Sequence, residues 1–342
     1  MNKWMNVTQK VIPDLMEIMK RRYEILQQTS LMEPVGRRSL ATKVGMTERV
    51  LRGELDFLRE QGLIIVDAQG TKLSEAGKHL LVDLHEVIKE WSGLNDKEIN
   101  LTKMLQIEKV LLTYGDTDKD ETVKSELGKE VARLVQAIAN GGMTIAVTGG
   151  STISTVAEAL RKQQHMVDVL FVPARGGVGT DMRFQANTLA ARMAEESGGT
   201  YQTLYVPDVV GEEMYQSIIK EPEIKQVLKV IKKANIVIHG IGNALEMAER
   251  RGTHKGNIKE LSESGAIAEA FGYYFNEEGK VVHRLQTVGL QLEDLQHAEY
   301  VIAVAGGSTK AKAIAAYMKQ APRQTILVTD EIVAEELLKT IN

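Results

Sequence analysis

Val147-Thr148-Gly149-Gly150-Ser151-Thr152 ends a short apolar run, and the same pattern returns at Val304-Ala305-Gly306-Gly307-Ser308-Thr309. We call these segments the first and second Gly-Gly-Ser-Thr turns. The apolar residues before each turn are typical of buried parallel strands, and the residues after it have helical spacing. Because a glycine pair lets the backbone bend sharply, each copy predicts a strand, a tight turn and the N-terminus of a helix.

Both turns have the features of an anion site. The free amides and the positive dipole at a helix N-terminus favour a phosphate, and hydroxyl side chains add donors. Lys310 follows the second turn, where a cation is unfavourable for the helix itself and is better explained by an anion. One such turn is often purely structural. Two copies with a lysine favour two phosphate sites, although neither has the glycine spacing of a Walker loop or a dinucleotide fingerprint.

The composition excludes several classes of protein. The chain has 342 residues, 43% of them hydrophobic, which is enough for two domains. It has no cysteine, so a disulfide scaffold, a thiol nucleophile and a cysteine-ligated metal are excluded. No other metal site and no cofactor is predicted. Residues 1–17 contain no uninterrupted apolar stretch, so we expect neither a signal peptide nor a membrane anchor, and a cytoplasmic protein.

Charge is distributed unevenly between the two ends of the chain. From Lys20 to Arg59 there are nine basic and five acidic residues, a net charge of +4, whereas the whole chain carries -4. A basic head on an acidic body suits a protein whose head contacts a polyanion.

The basic head has the pattern of a winged helix-turn-helix. Helices are predicted over residues 19–32 and 37–44, and a third begins after Thr47 and runs to residue 61, with Val50 and three leucines facing inward. Residues 63–66 and 71–73 then predict a two-stranded wing. This order places the third helix in the DNA major groove.

Six head residues are the candidates for DNA contacts. Three lie at the third helix, where they could reach base edges or phosphates, and three begin the second helix, where they could hold the backbone. They are Thr47, Arg49, Arg52, Arg37, Arg38 and Ser39. The alternative is an ordinary solvated helix face, and which arginine contacts a base stays open.

Residues 78–91 predict a helical connector with one apolar stripe. We expect this stripe to pack against a partner chain or the wing, or else within the core of its own subunit. The domains are therefore predicted as residues 1–92, the DNA-binding head with its connector, and residues 93–342, an effector-binding body.

In the body, strands and helices alternate. The strand candidates are residues 110–112, 145–147, 169–172, 204–206, 236–238, 301–304 and 326–328, with helices between them. This rhythm predicts an α/β fold with a doubly wound, Rossmann-like parallel sheet. Residues 271–275 and 280–283 predict an inserted antiparallel hairpin. Ligands of such sheets bind beyond the carboxyl ends of the strands, where both Gly-Gly-Ser-Thr turns lie.

Other strand ends bring further polar residues to the same edge. Arg175 precedes a run of glycines and suits a bidentate phosphate contact. Arg250 and Arg251 end a helix, and they either compensate its dipole or form a second phosphate clamp. Gln185 and Glu269 are candidates for gripping sugar hydroxyls.

Four segments of the body together resemble the SorC family of bacterial sugar-responsive transcription regulators. They are Thr148-Gly149-Gly150-Ser151-Thr152, Val172-Pro173-Ala174-Arg175-Gly176-Gly177, His239-Gly240-Ile241-Gly242 and Ala305-Gly306-Gly307-Ser308-Thr309-Lys310-Ala311. The resemblance implies the fold of sugar-phosphate isomerases and deaminases, and a repressor of a glycolytic operon with fructose-1,6-bisphosphate as its inducer. The effector contacts that it implies are Gly149, Gly150, Ser151, Thr152, Arg175, Gln185, Arg250, Arg251, Glu269 and Lys310.

Three functions are compared on this basis. The first is a repressor, a homo-oligomer (dimer or tetramer) that binds operator DNA and is modulated by a phosphorylated sugar. The second is a sugar-phosphate isomerase or deaminase, which needs a general base; only Glu269 and Asp330 are available, and His239 is better explained as a satisfied strand-end residue. The third is a simple oligomerisation module, which would leave Arg175, Lys310 and the repeated turn unexplained. The first function is favoured, with no catalytic residues.

Overall fold

The computed structural model describes residues 10–178 and 181–341. The chain divides into two compact units between Asp96 and Lys97, and each is described by itself. Part of the expectation about the first 17 residues lies outside the described range. Within that range, no helix is both long and apolar enough to cross a membrane.

The first unit is a winged helix-turn-helix. Its elements are α1 (Pro13–Met32), α2 (Arg37–Lys43), α3 (Glu48–Glu60), β1 (Ile64–Asp67), β2 (Gly70–Leu73) and α4 (Glu75–Trp91). Helix α3 begins at Thr47, whose hydroxyl accepts a hydrogen bond from the Val50 amide at 3.4 Å. The predicted inward position of Val50 is wrong, because its side chain is 44% exposed and the buried stripe of α3 consists of its three leucines.

The connector α4 packs within its own unit, against α1 and the wing strand β2. The Tyr23 hydroxyl and His85 Nδ1 are hydrogen-bonded at 2.9 Å, and both residues are buried. Leu81 and Leu84 pack on the head core. The predicted packing against the wing is therefore confirmed, together with packing inside the subunit; Ile88 of the stripe is buried, whereas Leu80, Leu81 and Leu84 are half-buried.

The second unit is built on a seven-stranded parallel sheet in the order β3-β13-β12-β7-β4-β5-β6. Its strands are β3 (Lys109–Thr113), β4 (Thr144–Val147), β5 (Leu170–Pro173), β6 (Thr200–Tyr201), β7 (Ile236–Gly240), β12 (Tyr300–Val304) and β13 (Thr325–Asp330). Helix α5 (Leu94–Leu105) begins before the division and continues into this unit. The other helices of this unit are α6 (Glu121–Ile138), α7 (Ser151–Ala159), α8 (Ala186–Ser197), α9 (Glu212–Ile218), α10 (Pro222–Ile231), α11 (Ala244–Arg250), α12 (Lys255–Glu263), α13 (Ala311–Met318) and α14 (Glu331–Ile341). The predicted doubly wound fold is confirmed.

The predicted strand at residues 204–206 is wrong. The edge strand is β6, a few residues earlier, and Leu204 is held by a side chain instead of a neighbouring strand. Asn187 donates to the Leu204 carbonyl at 2.9 Å and accepts from its amide at 2.8 Å. An asparagine side chain thus satisfies both backbone groups that a ladder would otherwise use.

The inserted hairpin is confirmed and extends into a second sheet. β10 (Tyr273–Phe275) and β11 (Val281–Arg284) pair antiparallel, and β9 (Ala268–Ala270) and β8 (Gly242–Asn243) complete four strands. In the main sheet, the chain continues outward from β4 on one side and from β7 on the other. The carboxyl ends of β4 and β7 therefore flank a switch point, where doubly wound sheets bind ligands.

Candidate functional site

A cavity of about 420 Å³ lies at this switch point, lined by residues that follow β4, β5, β7 and β12. This volume is in the range of small-molecule sites. All ten effector residues predicted from the sequence line it: Gly149, Gly150, Ser151, Thr152, Arg175, Gln185, Arg250, Arg251, Glu269 and Lys310. The fold therefore gathers residues that lie up to 161 positions apart in the chain.

The first Gly-Gly-Ser-Thr turn opens directly onto this cavity. Gly150 has φ +131° and donates its amide hydrogen to the Phe184 carbonyl at 2.9 Å, which leads the chain into α7. A Cβ at Gly149 would collide with that same carbonyl, so the close approach requires glycine. The next amides, of Ser151 and Thr152, have no acceptor in the described part of the chain. They are free to bind an anion.

The second Gly-Gly-Ser-Thr turn is already occupied by the protein's own carboxylates. Asp330 Oδ2 accepts from the Gly307 amide at 2.7 Å. Asp118 Oδ2 accepts from the amide and the hydroxyl of Thr309, both at 2.9 Å. The prediction of a phosphate in each turn is therefore corrected: the Gly307 and Thr309 amides and both hydroxyl groups of the second turn bind Asp118 or Asp330, and its contribution to the cavity is Lys310.

Four charged residues form what we call the buried network: Arg175, Asp208, Arg251 and Glu269. Arg175 Nε and Nη2 each donate to Asp208 at 2.8 Å, and Arg251 Nη2 donates to Glu269 Oε1 at 2.8 Å. The Gly272 amide also donates to Glu269 Oε1, at 2.6 Å. Two guanidinium groups thus face two carboxylates in the interior, and the network is uncharged overall.

The environment of the buried network keeps Glu269 ionised. Burial alone would raise the pKa of its carboxyl group, but Arg251 and Arg175 together hold the pKa below its usual value. The pKa of Arg251 is raised, because its attraction to Glu269 and Asp208 outweighs the effect of burial.

Arg250 and Lys310 differ from the network arginines, and we call them the unpaired cations. Neither has a carboxylate within 4.0 Å in the part of the chain that the structure describes. Burial, together with Lys124 and Arg250, lowers the pKa of Lys310, although Glu246 and Asp118 oppose the shift. Positive charge without a close partner therefore remains at this side of the cavity.

Gln185, predicted to grip sugar hydroxyls, lines the cavity but is already paired with the backbone of Val178. Its side chain accepts from the Val178 amide at 2.9 Å and donates to the Val178 carbonyl at 2.6 Å. This pairing fixes the backbone of Val178, which also lines the cavity.

The residues considered as a general base for an enzyme are already hydrogen-bonded within the protein. His239 is fully buried, with hydrogen bonds to the Gly240 carbonyl at 3.0 Å and to the Tyr317 hydroxyl at 3.1 Å, and burial lowers its pKa to about 4. This agrees with its interpretation as a satisfied strand-end residue. Asp330 holds the second turn, and Glu269 accepts from Arg251 and Gly272.

Asp208 and Asp118 are functional residues that sequence reasoning missed. Asp208 follows the apolar stretch of residues 204–207, and Asp118 lies in the loop after β3. The sequence could have indicated both residues, since each is an acidic residue that follows a strand-like segment, where the ligand-binding edge of such a sheet lies. Their partners, however, are 33 and 191 positions away, so no local pattern could pair them.

In the head, all six predicted DNA-contacting residues are exposed. Arg37, Arg49 and Arg52 are exposed and have no ion pair among the described residues. Arg38 instead pairs with Glu48 at 3.0 Å, with both side chains largely exposed, so the pair is weak. Ser39 is exposed, and Thr47 caps α3. The exposed, unneutralised arginines suit a phosphate backbone.

Comparison with known proteins supports this division into head and body. Residues 18–88 match the family model of the CggR N-terminal DNA binding domain, and residues 89–339 match that of a sugar-binding domain. The chain is 48% identical to the central glycolytic genes regulator of Priestia megaterium, with 100% of both chains covered. It is 45% identical to that of Bacillus subtilis, with 99% of both covered.

Solved structures agree with the fold. A SorC family transcriptional regulator from Enterococcus faecalis is 45% identical, with a TM-score of 0.67 over 71% of this chain and 99% of that one. The full-length sorbitol operon regulator of Klebsiella pneumoniae, at 19% identity, shares the fold with a TM-score of 0.68 over 89% of this chain and 94% of its own.

A winged helix-turn-helix followed by a sugar-binding α/β domain defines a DNA-binding transcriptional regulator with a sugar-related effector, and not an enzyme. Within that class, the chain belongs to the SorC family and, inside it, to the central glycolytic genes regulators.

Proposed function

We propose that this protein represses a glycolytic operon and that fructose-1,6-bisphosphate, bound in the cavity, releases it from the operator. Two relatives at 48% and 45% identity are named central glycolytic genes regulators, which supports the target genes. The protein acts as a homo-oligomer, dimer or tetramer, because winged heads in pairs match the two-fold symmetry of an operator.

One observation carries the choice of ligand. The cavity offers two separate anion-binding elements: the free amides at the start of α7, and the unpaired cations Arg250 and Lys310. A sugar with a phosphate at each end would use both. One phosphate lies at Ser151 and Thr152, and the other replaces the missing counter-charge of the unpaired cations.

Release from DNA requires that the ligand bind the two states of the protein unequally. The effector stabilises the arrangement in which the heads bind the operator poorly, and only that difference in affinity can shift the balance. A coupling free energy of about 1 to 3 kcal/mol changes operator affinity about 5- to 150-fold.

The test is operator binding by fluorescence anisotropy at one fixed salt concentration, with fructose-1,6-bisphosphate, fructose 6-phosphate or fructose. The bisphosphate should weaken binding at least about 5-fold, and fructose should leave it unchanged. Unchanged operator affinity and unchanged oligomeric state with every sugar phosphate would overturn the proposal. Arg52→Ala is the matched control, because it should weaken operator binding while bisphosphate still raises the melting temperature.

A further inference from the structure

The residues that line the cavity form two electrostatically different groups, which we call its two sides. The first consists of the unpaired cations and the free amides of α7. The second is the buried network, in which each guanidinium already has a carboxylate at 2.8 Å. Arg175, Arg251 and Glu269 line the cavity, whereas Asp208 does not.

Asp208 fixes the position of Arg175 in the buried network, although it does not itself line the cavity. It is 3% exposed, binds Arg175 through both carboxylate oxygens, and lies 3.6 Å from Arg251 Nε. Its backbone is fixed as well, since its amide donates to the Gly177 carbonyl at 3.1 Å and its carbonyl accepts from the Val288 amide at 3.0 Å. The Nε and Nη2 fork of Arg175 is therefore committed to Asp208, and Nη1 donates to Glu269 Oε1 at 3.5 Å.

Glu269 supplies a hydrogen-bond acceptor to the cavity. Its Oε1 atom accepts from Arg251 and Gly272, whereas no hydrogen bond to Oε2 occurs within the described ranges. Because Glu269 lines the cavity and is ionised, Oε2 is an acceptor that attracts hydroxyl groups and repels phosphates.

We propose that Asp208 is a positioning residue that determines the specificity of the effector site: by neutralising Arg175 and Arg251, it makes this side of the cavity accept sugar hydroxyls instead of phosphate. The inference rests on the proposed function, in which the ligand is a phosphorylated sugar. It assigns the sugar body to the buried network, and the phosphates to the unpaired cations and the first turn.

Removing the charge of Asp208 should allow a phosphate to bind beside Arg175 and Arg251, where the unmodified protein accepts sugar hydroxyls. In Asp208→Asn two guanidinium groups face one carboxylate, so the wall gains one positive charge. At an effective dielectric constant of about 20 and a separation of about 8 to 10 Å, that charge strengthens the binding of a monoanion about 15- to 30-fold.

The experiment is titration calorimetry of the full-length protein with inorganic phosphate and with fructose-1,6-bisphosphate. In Asp208→Asn, phosphate should bind about 15- to 30-fold more tightly. Asp208→Glu keeps the charge and should bind phosphate as the unmodified protein does. A purely structural role predicts that Asp208→Asn binds both phosphate and the bisphosphate more weakly, which would overturn the inference.

A second pair of variants tests the same claim if Asp208→Asn does not fold. Arg175→Met leaves the network one negative charge in excess and should weaken phosphate binding, whereas Arg175→Met with Asp208→Asn restores neutrality and should recover it. Equal phosphate affinity in these two variants would contradict the inference.

The outcome also separates this inference from the proposed function. If the unmodified protein binds no phosphorylated sugar, the proposed function fails. The change in affinity for inorganic phosphate in Asp208→Asn still tests the role of Asp208. If the unmodified protein binds the bisphosphate but Asp208→Asn binds phosphate no more tightly than the unmodified protein, the inference alone fails.

Discussion

The two Gly-Gly-Ser-Thr turns have the same four residues and opposite surroundings. The first turn opens its Ser151 and Thr152 amides onto the cavity, whereas the Gly307 and Thr309 amides of the second are bound by Asp330 and Asp118. Both follow a buried parallel strand and precede a helical segment. The comparison teaches that an anion-binding motif is a ligand site only where the rest of the fold leaves its donors without an internal acceptor.

The internal carboxylates give the second turn a different task. Asp330 and Asp118 fix the backbone of the turn, and the residue that follows, Lys310, extends to the cavity. The first turn contributes backbone amides, and the second contributes a cation. The two turns therefore supply complementary groups to one site instead of one phosphate site each.

The largest effect that would test this comparison is on stability. Asp330 is fully buried and accepts from the amides of Gly307, Thr117 and Val333. Asp330→Ala should lower the free energy of unfolding by about 3 kcal/mol, because buried amides lose their acceptor. Calorimetric unfolding of the full chain measures this, with Asp330→Asn, which keeps one oxygen, as the milder control. A loss below about 1 kcal/mol would mean that the second turn does not depend on its internal carboxylate.

The next effect is on ligand binding and concerns what the second turn supplies to the cavity. Lys310→Ala should weaken fructose-1,6-bisphosphate binding about 10- to 100-fold, because a phosphate loses a charged donor in a partly buried site. Lys312 is the matched control, since it is exposed on α13, directly after Lys310, and does not line the cavity. Lys312→Ala should bind normally in calorimetry. Equal loss in both variants, or in neither, would contradict the role of the second turn.

The smallest effect concerns Asp118, which is exposed. Burial opposes the shift, but hydrogen bonds from Thr309 and Ser308 and the charge of Lys310 lower the pKa of its carboxyl group. A carboxyl group with a lowered pKa stabilises the fold above its unfolded pKa, and this contribution is lost as the pH falls through the folded pKa. Asp118→Asn should therefore cost at most about 1 kcal/mol at pH 7, and the difference from the unmodified protein should vanish in acid.

The same variant offers the clearest way to break the comparison. With Asp118→Asn, we expect the bisphosphate still to bind with one molecule per chain, because water takes over the released donors. A second bound equivalent would reveal the second turn as a latent anion site, and the distinction between the two turns would no longer hold.

Much of the fold could be predicted from the sequence because its signals are local. Apolar runs bounded by glycine and polar residues predicted six of the seven main-sheet strands, and Thr47 and Gly62 bound the third head helix. Two predictions, the strand at residues 204–206 and the inward position of Val50, were wrong for reasons that the structure shows. Residues 204–206 have the composition of a strand, but the Asn187 side chain satisfies Leu204 first, and Val50 lies outside the buried stripe of α3.

The position of the site was also predictable, since polar residues at strand ends of a wound sheet must share one edge. The state of each group was not. Arg175 and Arg250 look alike in sequence, but Arg175 is bound to Asp208, and Arg250 has no carboxylate within reach in the described residues.

The sequence by itself determined the order of helices and strands, the winged head and the edge of the sheet where a ligand binds, because periodicity and turn chemistry act over a few residues. Only the tertiary structure decided which donors and charges remain available. Hydrogen bonds and ion pairs are satisfied by whatever lies near in space, and here the acceptors Asp118, Asp208 and Phe184 come from loops distant in the chain.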